Sequence, residues 1–470
     1  MKESWIKKSN CCSSQLPCKE CPSCVSCKKW ADYVSRHRAG RGYVHFDERT
    51  SLGDYKTRSK VLNASWVAKH GFMPLISREI KRSKYVRKGG IAERKVKSPR
   101  IIRYCSHMDR CVYQRYAFLV GEAYDSYAAE AGIDGSAIAY RNGKAKSTID
   151  YAKSAFDFIA SAGECVVLVA DFESFFESVD HKVLKRAMCS VLNVKQLPDD
   201  YYAVFKNSTR YSCWDWKDLV VLNGLEKSRS ARKDLNSKDV TLDREVFRKL
   251  APTHSVRNDT GRGIPQGSPI SSVLSNVYLA GLDQSVCRIV ESCKGLYYRY
   301  CDDLFVAAPV VDGNVGGALE AANRVVAAIG ECEGVSLQEE KTGFYLFRSQ
   351  DGGGAISKIS SCGSVLDAKS SIDYLGFSFD GTNRRMRAKA ITQYHYKMRR
   401  KARTVAIQGK GARNLYGTYS RHARRLAGHR SFVDYAKKAR AVMHLNDPAA
   451  DSIIRHDMEK IAKAINEQRA

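Results

Sequence analysis

The chain has 470 residues, 44% of them hydrophobic and 27% charged, with 78 Lys and Arg against 50 Asp and Glu for a formal net charge of +28. That length exceeds one ordinary core, and that apolar content excludes a disordered chain. An excess of positive charge this large repels itself in a compact fold, so it predicts a polyanionic partner. Nucleic acid fits basic residues that are spread along the chain among aromatics, and a membrane surface is the competing reading.

The opening "MKESWIKKSN" has no apolar core of the signal-peptide kind, and no run reaches the roughly 20 apolar residues that span a bilayer. The expectation is a cytoplasmic protein without a membrane partner, its 16 cysteines mostly reduced thiols. Six of those cysteines fall in the first 27 residues, and Cys18, Cys21, Cys24 and Cys27 recur at every third position. Such thiolates can wrap zinc or an iron–sulfur cluster. However, the spacing lacks the longer stretch between zinc pairs and the usual fourth spacing of a cluster, so a Cys-rich segment without cofactor stands beside the metal reading.

From Arg78 to Arg103 the chain carries eleven Lys or Arg against two acids. There "PRIIRY" predicts a short strand beside a Gly-Gly turn. "MDRCVYQRYAFLVGEAY" has helical apolar spacing at Val112, Tyr116, Leu119 and Val120. A basic loop, "SAIAYRNGKAKST", leads into a predicted helix, "TIDYAKSAFDFIASA". The continuous apolar run "CVVLVA" predicts a central buried strand that ends on Asp171, and "SVDHKVLKRAM" a helix after it. Residues 206–262 read as short helices and loops. A Gly/Pro turn, "GRGIPQGSP", opens a long helix with Val273, Leu274, Val277 and Leu282 on its apolar face. "GGALEAANRVVAAIGECEGV" predicts another helix, and "LQEEKTGFYLF" and "IDYLGFSFD" predict strands. Residues 382–470, with 22 Lys or Arg against 6 acids, are predicted mostly helical.

The stretch "YRYCDDLFVA" sets Asp302 and Asp303 on a hairpin turn between the apolar strands "GLYYRY" and "LFVAA". Burying two like charges without a partner is costly, although an acidic pair is otherwise an ordinary turn. A divalent cation removes the cost, and Mg²⁺ takes hard oxygen ligands from one or two carboxylates plus substrate phosphates. Asp171, at the end of its own strand, is the candidate third carboxylate. Two metals roughly 3.5–4 Å apart can serve the attacking and leaving oxygens of a phosphoryl displacement.

In order along the chain, Asp171 with "FESFF", then "GIPQGSPISSVLSNVYL", "YCDDL", "EEKT" and "YLGF" resemble the successive motifs of reverse transcriptases. The resemblance covers roughly residues 71–380, and "YCDD" departs by one small residue from the YADD of bacterial relatives. It implies an α/β right-hand polymerase. An N-terminal extension (1–70) would precede fingers and palm with a central antiparallel sheet packed on helices (71–380), and a basic α-helical thumb (381–470) would follow. It also implies two Mg²⁺ ions held by Asp171, Asp302 and Asp303, with dNTP substrates. By the same resemblance Phe176 matches the steric gate against a ribose hydroxyl, with a core Phe as the plain alternative. Gln266 and Gly267 match the turn that packs on the nucleotide, and Lys97 and Arg100 the triphosphate-holding residues, with Lys95 and Arg103 as alternatives. Lys341 matches the lysine that protonates departing pyrophosphate, a surface lysine being the alternative, and "YLGF" matches the primer grip. Tyr140, Arg141 and Lys144 are candidates for template contact.

Nothing after "YLGF" reads as a nuclease, so the chain more resembles the stand-alone bacterial enzymes of the retron and group II intron-like lineage. Within it, the similarity is closest to the defence-associated reverse transcriptases, class 2. That resemblance implies a structured non-coding RNA as template and scaffold, a cDNA product and a role in antiphage defence. A template-independent or protein-primed DNA polymerase of the abortive-infection type, and an inactive RNA-binding protein on the same fold, are the rival expectations.

Overall fold

The computed structural model describes residues 25–88, 91–141, 144, 146–228, 230–423 and 430–467. It is a mixed α/β protein, mostly helical with several sheets. The chain divides into two compact units. One takes residues up to 143 with 172–285 and 329–336, and the other takes 144–171, 286–328 and 337 onward.

Strands are numbered along the chain. In the first unit β1 (Leu75–Lys88) and β2 (Ile91–Tyr104) form a long antiparallel hairpin. The expected short strand "PRIIRY" is only its closing half. Pro99 is tolerated there because β2 is the sheet edge and the ladder slips its register between Ile80 and Arg82. β1 runs parallel to β4 (Ser212–Asp215) over Leu75–Ser77, and β4 pairs with β5 (Val256–Arg257). Both short strands lie in the stretch expected to be helices and loops. Their strand character comes from tertiary packing around Trp214, which is fully buried with Phe46, Ile76, Leu219 and Leu235. Its indole N–H donates to the Ser255 hydroxyl at 2.8 Å. The predicted helices form at His107–Glu130, His181–Leu192 and Ser271–Ser292. Val112, Tyr116, Leu119 and Val120 are buried, as are Val273, Leu274, Val277 and Leu282.

The second unit is built on an antiparallel sheet ordered β10–β9–β8–β3–β7–β6. β3 (Glu164–Asp171) runs between β7 (Asp303–Pro309) and β8 (Gly343–Gln350), with β6 (Leu296–Tyr300) at the edge beyond β7. Val166, Val167 and Leu168 are fully buried, which is why this strand reads as continuous rather than alternating. On the other side lie β9 (Gly353–Ile359) and β10 (Val365–Asp367). The expected strand "LQEEKTGFYLF" begins only at Gly343. Its acidic start, Glu339–Lys341, is a 3₁₀ turn because the Gln338 N–H is drawn to the Asp171 carbonyl at 2.8 Å.

"IDYLGFSFD" is a tight hairpin of β11 (Ile372–Tyr374) and β12 (Phe377–Phe379), turned by Leu375 and Gly376, both at positive φ. β13 (Arg384–Met386) completes its three-stranded sheet. Phe379 stacks on Phe156 of helix Thr148–Ser161 at 5.2 Å. Helices Ala388–Gln408, Ala412–Tyr419, Phe432–Met443 and Pro448–Asn466 follow, as the apolar stripe Tyr394, Met398, Ala402 and Val405 requires. Among the described residues no helix is long and apolar enough to cross a membrane.

The C-terminal helices close over a buried charge. Asp457 is fully buried and accepts from the Arg421 backbone N–H at 2.8 Å and from its Nε at 2.7 Å. Arg421→Ala strips the guanidinium from that carboxylate and is expected to lower the opening free energy of helix Pro448–Asn466 by about 3 kcal/mol. Native-state amide hydrogen exchange measures it, with Arg421→Lys expected between the two.

Candidate active site

Asp171 closes β3 and stands directly opposite Asp303, the first residue of β7, in the antiparallel ladder. Tyr300, the last residue of β6, flanks Asp303 on the other side. The connection is only Cys301 and Asp302, and Cys301 takes φ +60°, a left-handed conformation costly for a side chain with a Cβ. Arg299 holds that turn. Its side chain is fully buried in β6, and Nη1 donates to the Cys301 carbonyl at 3.1 Å. Arg299 was not singled out from the sequence, although a guanidinium inside the apolar run "LYYRY" was the available signal.

The three carboxylates therefore share one end of the sheet. Displacement of water by protein, then the Asp302 charge, then the Asp171 charge push Asp303 up to about 7, although the residue keeps a solvent-facing edge. Burial and the Asp171 charge raise Asp302 as well. Lys341 opposes both shifts. Its ammonium lies 2.8 Å from Asp171 Oδ2, placed there by the 3₁₀ turn whose Gln338 N–H is anchored on the Asp171 carbonyl. Tyr374 of "YLGF" is buried behind the site with its ring 4.8 Å from that of Phe305, so this Tyr packs against β7.

Among the described residues no three His, Cys, Asp or Glu side chains are grouped as a preformed metal cage. The donors nonetheless suit Mg²⁺, which needs only one or two carboxylates when substrate phosphates and water complete its shell. Asp171 and Asp303 face each other across one ladder rung, and Asp302 adds charge beside them. Lys341 supplies positive charge at the position where a cation would neutralise Asp171.

The first unit assembles the other predicted residues. Ser174, at φ +45°, turns the chain into the short helix Phe175–Ser178. Phe175 is buried against Phe172 and Tyr278, whereas its neighbour Phe176 is only half-buried. The Phe176 carbonyl accepts from the Ile264 N–H and that of Val179 from the Gly263 N–H, each at 2.8 Å, which lays the Gly/Pro turn along this helix. Gln266 is the hub of that turn. Its Oε1 accepts from Arg100 Nε at 2.6 Å, its Nε2 donates to Glu177 Oε1 at 3.0 Å, and its carbonyl accepts from the Arg103 N–H at 2.7 Å. Gly267 sits at φ +123°, where a Cβ would come within 2.5 Å of the Arg103 carbonyl oxygen, so no other residue fits. Arg100, Gln266 and Gly267 are thus brought together, with Phe176 on the adjoining helix.

Other expectations fare differently. Lys97 occupies the register position opposite Arg82 on the hairpin, away from the Gln266 turn. Lys95 is exposed farther out. Arg103 lies with its guanidinium 5.4 Å from the Tyr211 ring. Arg141 is not available for a template. Its buried guanidinium donates to Asp125 at 2.6 Å and to Asp134 at 2.5 Å. Cys18, Cys21 and Cys24 lie outside the described residues, and of Cys27 only its place in helix Val25–Arg36 is described.

Residues 238–379 match the family model "Reverse transcriptase (RNA-dependent DNA polymerase)". The chain carries a reverse transcriptase domain. The matched stretch contains Gln266, Gly267, Asp302, Asp303, Lys341 and Tyr374. No curated protein matches the sequence. Among solved structures, apo telomerase from Candida tropicalis truncated from its C-terminal domain aligns over 71% of this chain and 59% of its own at 9% identity, TM-score 0.38. Telomerase from Candida albicans with a fragment of telomeric RNA aligns over 94% and 69% at 13% identity, TM-score 0.36. Apo telomerase from Candida tropicalis aligns over 97% and 78% at 10% identity, TM-score 0.38. Scores this low carry no assignment by themselves.

The crowding of carboxylates has a pH signature in the metal-free protein. An unfolded Asp releases its proton near 3.9, whereas folded Asp303 retains it to about 7. The folded state therefore binds more protons across that window, and Asp303 costs stability progressively as pH rises from about 4 to about 7, after which the cost is constant. In EDTA, Asp303→Asn is expected to melt higher than the parent at pH 8, with the difference shrinking as pH falls towards 4. Thermal melts across this range measure it.

Proposed function

We propose that this chain is a reverse transcriptase that copies a structured non-coding RNA into cDNA by two-metal-ion nucleotidyl transfer, acting in bacterial antiphage defence. The observation that carries the chemistry is the ladder pairing of Asp171 with Asp303, with Asp302 in the adjoining turn. Bound Mg²⁺ would supply charge neutralisation and a more acidic primer hydroxyl. Asp171, Asp302 and Asp303 would hold the ions. Lys341, beside Asp171, is positioned to give a proton to the departing pyrophosphate. Arg100, fixed on Gln266, presents guanidinium donors for the triphosphate, and Gln266 and Gly267 form the surface under the nucleotide. Phe176 is the steric gate, and its half-burial beside the fully packed Phe175 supports that role over a core one.

The domain organisation follows the same reading, with an N-terminal extension, fingers and palm to about residue 380, and the basic C-terminal helices as thumb. A cytoplasmic location is supported by the free thiols from Cys105 to Cys362. The RNA partner is supported by the charge of +28, and its non-coding, defence-linked character by the motif resemblance.

Asp302→Ala with Asp303→Ala is expected to reduce dNTP incorporation at least a hundredfold while co-purifying RNA is retained. Sequencing the RNA and DNA that copurify from cells completes the test. DNA complementary to one abundant RNA is expected. Homopolymeric or random DNA would replace templated copying with a template-independent polymerase, and incorporation surviving the double substitution would place the chemistry elsewhere.

A further inference from the structure

Helices Ala388–Gln408 and Pro448–Asn466 share a buried seam, Met398, Ala402 and Val405 on one and Ile461, Ala464 and Ile465 on the other. Beside that seam lies a cavity of about 930 Å³, within the size range of small-molecule sites. Its lining comes from these two helices and the cap residue Glu467. His395, Arg399, Arg400 and Arg403 belong to the first helix, and Lys460 and Lys463 to the second. Glu467 is the one acid in the lining, 3.9 Å from Lys463.

Positions 395, 399 and 403 are successive i,i+4 neighbours, a spacing at which like charges destabilise a helix. Other arginines of the C-terminal region are paired. Arg384, Arg385, Arg387, Arg421 and Arg440 each have an aspartate within 3.2 Å. Among the described residues no carboxylate forms an ion pair with Arg399, Arg400 or Arg403. Lys460 donates to a neutral partner, the Ser452 hydroxyl, at 2.8 Å. Burial pushes the Lys460 ammonium down, and burial, then the Lys460 charge, then the Arg399 charge push the His395 imidazole down. The cations therefore crowd one another around a concavity, with Glu467 alone in the lining to offset them. Part of the wall is different in kind. Met398 and Ala464 contribute buried apolar surface, and Tyr396, 61% exposed, contributes an aromatic ring.

Cations alone would suit any polyanion. Cations around a cavity with an apolar and aromatic wall suit an anion that also carries a flat ring, because stacking on an aromatic side chain adds to the phosphate contacts. A base paired in a duplex is already stacked and cannot enter, whereas an unpaired base can. We propose that this cavity binds an unpaired nucleotide, its base against Tyr396 and the Met398–Ala464 surface and its phosphate at Arg399 and Lys460. The source is a free nucleotide or a single-stranded position of an RNA, which present the same chemistry. The site goes beyond the polymerase reading, since none of the residues proposed for nucleotidyl transfer lines it.

The test uses the full chain in EDTA, which removes metal-dependent nucleotide binding at the carboxylates. The probe is a fluorescein-labelled hexamer of rA, read by anisotropy. Tyr396→Ala, and Arg399→Gln together with Lys460→Gln, are each expected to weaken hexamer binding about fivefold or more, while Tyr396→Phe, which keeps the ring, stays within about twofold of the parent. A 4-thiouridine placed inside the hexamer is expected to crosslink to residues 392–403, and a blunt RNA duplex to bind the parent and Tyr396→Ala alike. Unlabelled AMP assigns the source. Displacement of the hexamer in the parent marks a site for free nucleotides, and no displacement marks a site for a strand. Hexamer binding indifferent to Tyr396→Ala, an equal loss in Tyr396→Phe, an equal loss for the duplex, or crosslinks confined to other segments would overturn the site. Inorganic phosphate or hexaglutamate displacing the hexamer as well as unlabelled hexamer does would also overturn it, leaving an unselective anion patch. Extension of a primed RNA template by the parent in Mg²⁺ is scored separately. Its absence would count against the polymerase reading and leave the hexamer results to decide the cavity.

Discussion

The constraint on which the second unit depends is the crowding of three carboxylates at one end of an antiparallel sheet. β3 ends on Asp171, β7 begins on Asp303, and the ladder forces the two opposite each other. The two-residue turn that brings in Asp302 is held in a left-handed conformation at Cys301 by a buried arginine. None of this is what stability alone would select. Burial and like charge hold a proton on Asp303 to about 7, and Lys341 offsets only part of the repulsion. A fold that violates local rules in one place, and surrounds that place with fully packed strands, has the signature of a functional site.

The first unit shows a complementary logic built on hydrogen bonds rather than charge. Gln266 engages Arg100, Glu177 and the Arg103 backbone at once, and Gly267 lets two backbones approach closer than any side chain permits. The result is a rigid turn with a guanidinium presented beside it. Under the proposed function this is the nucleotide-handling surface, and its rigidity matters because phosphoryl transfer depends on positioning more than on reactive side chains.

Much of the second unit was legible in the sequence. The β-branched run before Asp171, the apolar flanks of Asp302 and Asp303 and the helical spacing of Val273, Leu274, Val277 and Leu282 in the first unit each follow from a local pattern that the packing leaves intact. β4 and β5 were not legible, because their strand character comes from Trp214 and its distant neighbours rather than from their own residues. The 3₁₀ turn at Glu339–Lys341 was hidden because its cause is a backbone bond to Asp171, far away in the chain. Arg141 misled for a similar reason. In the sequence it is one cation in a basic loop, and only the fold shows Asp125 and Asp134 closing on it. Its partner residues lie 16 and 7 positions away, too irregularly spaced to suggest a pattern.

The central claim is that the crowded carboxylates form a cation site. The most direct measurement is anomalous diffraction from crystals of the protein grown with Mn²⁺ and a non-hydrolysable dNTP. The account predicts manganese within bonding distance of Asp171 and of at least one of Asp302 and Asp303, with the Lys341 ammonium moved off Asp171 Oδ2. Manganese bound elsewhere, with Lys341 still paired to Asp171, would contradict it.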